Sequence, residues 1–109
     1  MDLFLTISDG ENAAGTRITL DRDAIKRLSR SKWAPALHGG VSSGVRRVIR
    51  SFRELTTHTH QPIRFSARIE ERRTVSALLK PEDIAAGGRG VIPHETRIAI
   101  QTASAEFLR

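Results

Sequence analysis

Residues 42–55 read SSGVRRVIRSFREL, and the organisation of the chain follows from how this stretch folds. Val45, Val48, Ile49, Phe52 and Leu55 recur at helical spacing, which predicts a helix over residues 42–55 with one stripe to bury. Arg46, Arg50 and Arg53 line up on another side, with Arg47 beside them. Arginines four apart repel and slightly destabilise an isolated helix. Such a face is either solvated or used to meet an anion. Ser42 or Ser43 is placed to cap the helix start, where free backbone N–H groups also favour phosphate.

Working outward, residues 16–20, TRITL, alternate, with Ile18 and Leu20 on one side and Arg17 and Thr19 on the other. This is strand patterning. Residues 3–8, LFLTIS, are a second β-prone run, placed to pair with the first as a hairpin across a long loop, DGENAAG. Asp21 is a candidate cap for a helix over residues 22–32, with Ala24, Ile25 and Leu28 on its apolar side and Trp33 closing it onto the core. Pro35, Gly39 and Gly40 mark a turned connection to the basic helix.

Beyond Leu55 the polar stretch THTHQP leads to Pro62. Residues 63–69, IRFSARI, alternate cleanly. Residues 74–79 are a further apolar run, joined to the previous one by a charged turn at Glu70–Arg73, although a helix over 70–79 competes because Glu, Arg, Ala and Leu are good helix formers. KPEDIAAGGRG reads as loop with one helical turn at PEDI. Residues 96–102, beginning TRIAI, alternate and are expected to be a fifth strand, and the closing SAEFLR is too short to be assigned a helix. The expected fold is α+β in one domain of residues 1–109: two helices packed with five short antiparallel strands, divided into a basic strand-helix-helix segment over 16–55 and a β-rich part over 62–109.

At 109 residues with 39% hydrophobic and 5% aromatic content, the chain allows one modest core, which association into a homodimer would enlarge. No cysteine is present, so disulfides and thiolate metal sites are excluded. No apolar run approaches bilayer-spanning length, and the expectation is a cytoplasmic protein without a membrane partner. The net charge of +6 is unevenly placed. Residues 16–53 hold ten Lys or Arg against Asp21 and Asp23. Residues 1–15 hold only Asp2, Asp9 and Glu11, and residues 54–109 are nearly balanced. A local excess of this kind points to a polyanion more firmly than a high overall charge.

The segment 16–55 resembles the ribbon-helix-helix DNA-binding family in its strand TRITL, its acidic cap, its first helix, the Gly39–Gly40 turn, and Val41-Ser42-Ser43 opening a helix with Val45, Val48 and Ile49 inward. In that family two chains pair their strands into a ribbon that enters the major groove. The resemblance implies that Arg17 and Thr19 read base edges, that Ser42, Ser43 and Gly44 hold a phosphate, and that Ile18, Leu20, Ile25, Leu28, Val45, Val48 and Ile49 form a dimer core. The connection from Trp33 to Gly40 is longer than the family's usual turn, and LFLTIS competes for the strand.

Other constellations are weaker. His58 and His60 share one face of an extended segment, as metal ligands can, but no cysteine or suitably spaced acid joins them and no metal site is assigned. Glu70–Arg73 reads as a charged turn rather than a catalytic carboxylate. Gly87-Gly88-Arg89-Gly90 lacks the Lys-Ser/Thr of a phosphate-binding loop. No nucleophile motif is present, so neither an enzyme nor a cofactor is expected. Two functions suit the chain. One is a duplex DNA-binding protein, a dimeric transcriptional repressor or accessory factor, contacting DNA through Arg17, Thr19, Ser42, Ser43, Arg46, Arg47, Arg50 and Arg53. The other is a small phage- or plasmid-borne protein, an inhibitor of a host system or a virion assembly component, that binds an acidic protein surface without catalysis.

Overall fold

The chain is described here by a computed structural model covering residues 1–30, 39–56, 61–87 and 91–109. Among the described residues four strands form one antiparallel sheet: β1 (Asp2–Ser8), β2 (Ala13–Thr19), β3 (Ile63–Ile69) and β4 (Val75–Leu79), in the order β2-β1-β3-β4. The helices among the described residues are α1 (Arg22–Leu28), α2 (Gly39–Leu55), α3 (Pro81–Gly87) and α4 (His94–Phe107). The architecture is α+β, with helices on antiparallel strands as the sequence patterning requires. The element order ββαα occurs twice, and the two hairpins meet along β1 and β3 in the middle of the sheet.

Strand alternation explains the sheet's two faces. Leu3, Leu5 and Ile7 of β1 are buried, and Ile63, Phe65, Ala67 and Ile69 of β3 lie beside them in the register Leu3↔Ile69, Leu5↔Ala67, Ile7↔Phe65. β2 pairs with β1 inside the same chain, with Leu3 opposite Ile18 and Leu5 opposite Thr16. It begins at Ala13, earlier than the alternation at 16–20 suggests, because the ladder with β1 carries Ala13–Gly15 into register despite their weak strand propensity. Asp9 shapes the turn: its Oδ1 accepts the N–H groups of Glu11 and Asn12 at 2.9 and 2.7 Å. Gly10 sits there at φ 95°, a conformation that glycine adopts without a Cβ penalty.

The turn at Glu70–Arg73 joins β3 to β4, which settles the competition over residues 70–79 for a hairpin rather than a helix. Glu70 takes φ 50° in this turn. Two bonds to Asp2 hold it: its N–H donates to the Asp2 carbonyl at 2.9 Å, and its Oε1 accepts the Asp2 N–H at 3.0 Å.

α1 is capped as expected, with Asp21 Oδ1 accepting the Ala24 N–H at 2.8 Å. It ends at Leu28 rather than Lys32, because Ser29 folds back: its hydroxyl donates to the Lys26 carbonyl at 2.6 Å. Trp33 and Pro35 lie outside the described residues. α2 starts at Gly39, three residues earlier than predicted. Ser42 and Ser43 therefore sit inside the helix and do not cap it, a correction that follows from Gly39 and Gly40 joining the first turn instead of forming a connection. Val41, Val45, Val48, Ile49 and Phe52 are buried on one side of α2, while Leu55, predicted to extend this stripe, is exposed in the last turn.

The largest correction concerns residues 96–102, which are helix and not a fifth strand. Their alternation, with Ile98 and Ile100 on one side, is real, yet Ile98 is 46% exposed. The pattern that prevails is helical: Thr96, Ala99, Ile100, Ala103 and Ser104 are buried, with Phe107 partly so, at the spacing of one helical face. SAEFLR, left unassigned from sequence, continues this helix to Phe107. PEDI, read as one turn, lies within α3.

α2 packs against β1 and β2, α4 against β3 and β4, α1 against α4, and α3 against α2. The residues that the family resemblance assigns to a two-chain core lie in the core of a single chain. Ile25, Leu28, Val45, Val48 and Ile49 are buried, and Ile18 and Leu20 pack against them.

Candidate nucleic-acid interface

α2 crosses the sheet with its apolar side inward, so the register of its sequence fixes what faces outward. Residues 39–55 contain four arginines and one carboxylate, Glu54. Arg47, Arg50 and Arg53 are exposed and Arg46 is half-buried, so the positive side chains emerge about once per helical turn of 5.4 Å. Arg47 is tethered at its tip, its guanidinium donating to Thr16 Oγ1 on β2 at 3.4 Å.

Two hollows flank this stripe. Ser43, Arg46, Arg47 and Arg50 line one of about 270 Å3. The other, of about 500 Å3, lies between the end of α2 and α3, with Arg50, Arg53 and Thr56 on one wall and Pro81, Ile84 and Ala85 on the other. Arg50 borders both, so the two hollows are neighbours along α2. Glu54 stands at the α3 end.

The structure brings together five of the eight residues singled out from the sequence: Ser43, Arg46, Arg47, Arg50 and Arg53. Ser42 is not among them. It is 2% exposed on the inner side of α2, and its hydroxyl has no hydrogen-bond partner among the described residues. Gly44 is also inward, where α2 passes so close to β2 that a Cβ added there would lie 2.3 Å from Ile18 Cδ1. Its part is to let two elements approach, which accounts for a glycine mid-helix.

Arg17 and Thr19 lie on the opposite face of the sheet from α2, because Thr16 and Ile18 are the β2 residues turned toward the helix. Both meet Asp2 there: Thr19 Oγ1 donates to Asp2 Oδ1 at 3.0 Å, and the Arg17 guanidinium stands 4.0 Å from Asp2 Oδ2. The outer face also carries Arg68, whose guanidinium lies 4.6 Å from the centre of the Phe4 ring and donates to the Glu70 carbonyl at 2.6 Å.

The hollow between α2 and α3 was not legible from sequence. Pro81, Ile84 and Ala85 lie about thirty residues beyond Arg53, in a segment expected from sequence to be loop with one helical turn at PEDI. Of the histidines, His38, His58 and His60 fall outside the described residues, as do residues 88–90 of the glycine-rich stretch; His94 opens α4. Among the described residues there is no group of three or more His, Cys, Asp or Glu able to hold a metal ion, and no helix long and apolar enough to cross a membrane. No protein-family model, curated protein or solved structure matches the chain.

Proposed function

We propose that this chain is a DNA-binding protein that holds the phosphate backbone along the outer side of α2. The observation that carries the reading is the arginine stripe itself. Four arginines repeat along one helix whose other side is locked into the core, so they project from a rigid support at fixed spacing. Like charges at this spacing cost folding free energy, a cost that a polyanion reverses. Lys and Arg side chains that neutralise phosphates release counterions and supply most of non-specific DNA affinity.

A role as a dimeric repressor or accessory factor belongs to the same proposal. β2 is an edge strand of the sheet, and an edge strand is a template for pairing with a second chain.

The test is a salt series. Affinity for generic duplex DNA should fall linearly on a log–log scale, and Arg46→Ala with Arg50→Ala should weaken binding to all sequences alike and flatten the slope by about one unit per lost contact. Absence of salt-dependent affinity overturns the reading and leaves the stripe as a docking face for an acidic protein.

A further inference from the structure

The hollow between α2 and α3 is chemically two-sided. Arg50 and Arg53 make one wall cationic, while Pro81, Ile84 and Ala85 make the other apolar. A bare phosphate would use only the first wall. At about 500 Å3 the hollow lies within the range of about 300–1,000 Å3 typical of sites for small organic groups. It therefore suits a ligand that carries an anion on one side and a flat apolar body on the other.

We infer that this hollow receives one unpaired nucleotide of a nucleic-acid strand. The base lies against Pro81, Ile84 and Ala85, its phosphate meets Arg50 and Arg53, and the adjoining phosphates run over the neighbouring hollow at Ser43, Arg46 and Arg47. The inference rests on the nucleic-acid reading above and adds which form of nucleic acid the site prefers: duplex ending in an unpaired strand. Three observations favour this occupant. First, Arg50 lines both hollows, so the base site adjoins the phosphate track. Second, the positive charge repeats from Arg46 to Arg53, which matches a repeating anion rather than a single phosphorylated or carboxylate side chain. Third, Glu54 and Thr56 border the same hollow. A carboxylate is a poor neighbour for phosphate, yet it accepts hydrogen bonds from the amino groups of base edges. A base inside a duplex cannot enter, because both of its faces are covered by stacking; an unpaired base has a free face to lay on the wall.

The experiment compares three fluorescent DNAs at one salt concentration: a blunt duplex, the same duplex with a short single-stranded overhang, and that overhang made abasic. The expected result is an overhang preference of about fivefold, the effect of taking about 40 Å2 of apolar base surface out of water, abolished by removing the bases while keeping their phosphates. Ala85→Leu, which fills the apolar wall, should lose the preference while binding blunt duplex as before; its melting curve verifies that it is folded. Adenosine monophosphate distinguishes a free nucleotide from a strand. Strand binding predicts weak competition, and a mononucleotide that binds more tightly than the overhang overturns the inference. Equal affinity for all three DNAs also overturns it, while leaving the phosphate-binding proposal intact. Absence of salt-dependent binding to any of them removes both.

Discussion

Gly44 offers the sharpest test of how α2 is seated. A methyl group there would stand 2.3 Å from Ile18 Cδ1 and 3.0 Å from Ile18 Cγ1. Gly44→Ala should gain about 1 kcal/mol of helix propensity. Forcing extra volume into a packed contact costs about 1–3 kcal/mol. The Ile18 Cδ1 atom is the end of a flexible side chain and can swing aside, but Cγ1 lies one bond from Cβ and has less freedom. The net expectation is a loss of about 0–2 kcal/mol, a small number that alone decides little. The coupling with Ile18 is more decisive. Ile18→Val removes Cδ1 and leaves only the 3.0 Å approach. In that background Gly44→Ala should recover most of its propensity gain, so the double mutant should be more stable than the sum of the single changes by at least about 1 kcal/mol, within the range measured for touching residues. Urea unfolding of the four proteins gives this coupling directly. If the two changes simply add, α2 does not cross β2 at Gly44, and the placement of the arginine stripe relative to the sheet is wrong with it.

Other expectations follow from the same core. Phe52 is 1% exposed on the inner side of α2, so Phe52→Ala should cost about 3–5 kcal/mol, a large fraction of a small domain's stability, and an unchanged melting temperature would mean that the ring is not buried. Ser42→Ala should stabilise the fold by about 1 kcal/mol or more, because the buried hydroxyl has no partner among the described residues, and should leave DNA affinity unaltered; a destabilised variant would show that the hydroxyl is bonded. Glu106 accepts two hydrogen bonds from Arg73, at 2.5 and 3.3 Å, and these hold its carboxyl below the ordinary range. Because the folded value is the lower one, the pair's contribution is present above the unfolded glutamate pKa of about 4.3 and lost as the pH falls through the folded value. Glu106→Gln should thus be less stable than the parent at neutral pH and converge with it in acid; a gap that persists at pH 2 would contradict the pair.

Much of this protein was legible because its local patterns admit one reading. The helix over 42–55 followed from Val45, Val48, Ile49 and Phe52, which satisfy a helical period and no other, and the four arginines then had to face outward. IRFSARI alternates with β-branched and aromatic residues on one side only, and it folds as β3 with the predicted bounds. The Asp21 cap is a contact between residues three apart, decided within the segment. The failures occurred where two periods coexist. In residues 96–102, Ile98 and Ile100 fit a strand while Thr96, Ala99, Ile100 and Ala103 fit a helix. Only packing chose: α4 lies across β3 and β4, burying Thr96, Ala99 and Ile100 and leaving Ile98 exposed. Long-range placement was likewise beyond the sequence. The ladder with β1 set the start of β2, the close passage at Gly44 set which strand the apolar face of α2 meets, and α3 supplied the apolar wall beside Arg50 and Arg53. Periodicity reports which side chains share a face, whereas which surface that face meets depends on contacts between residues far apart in the chain.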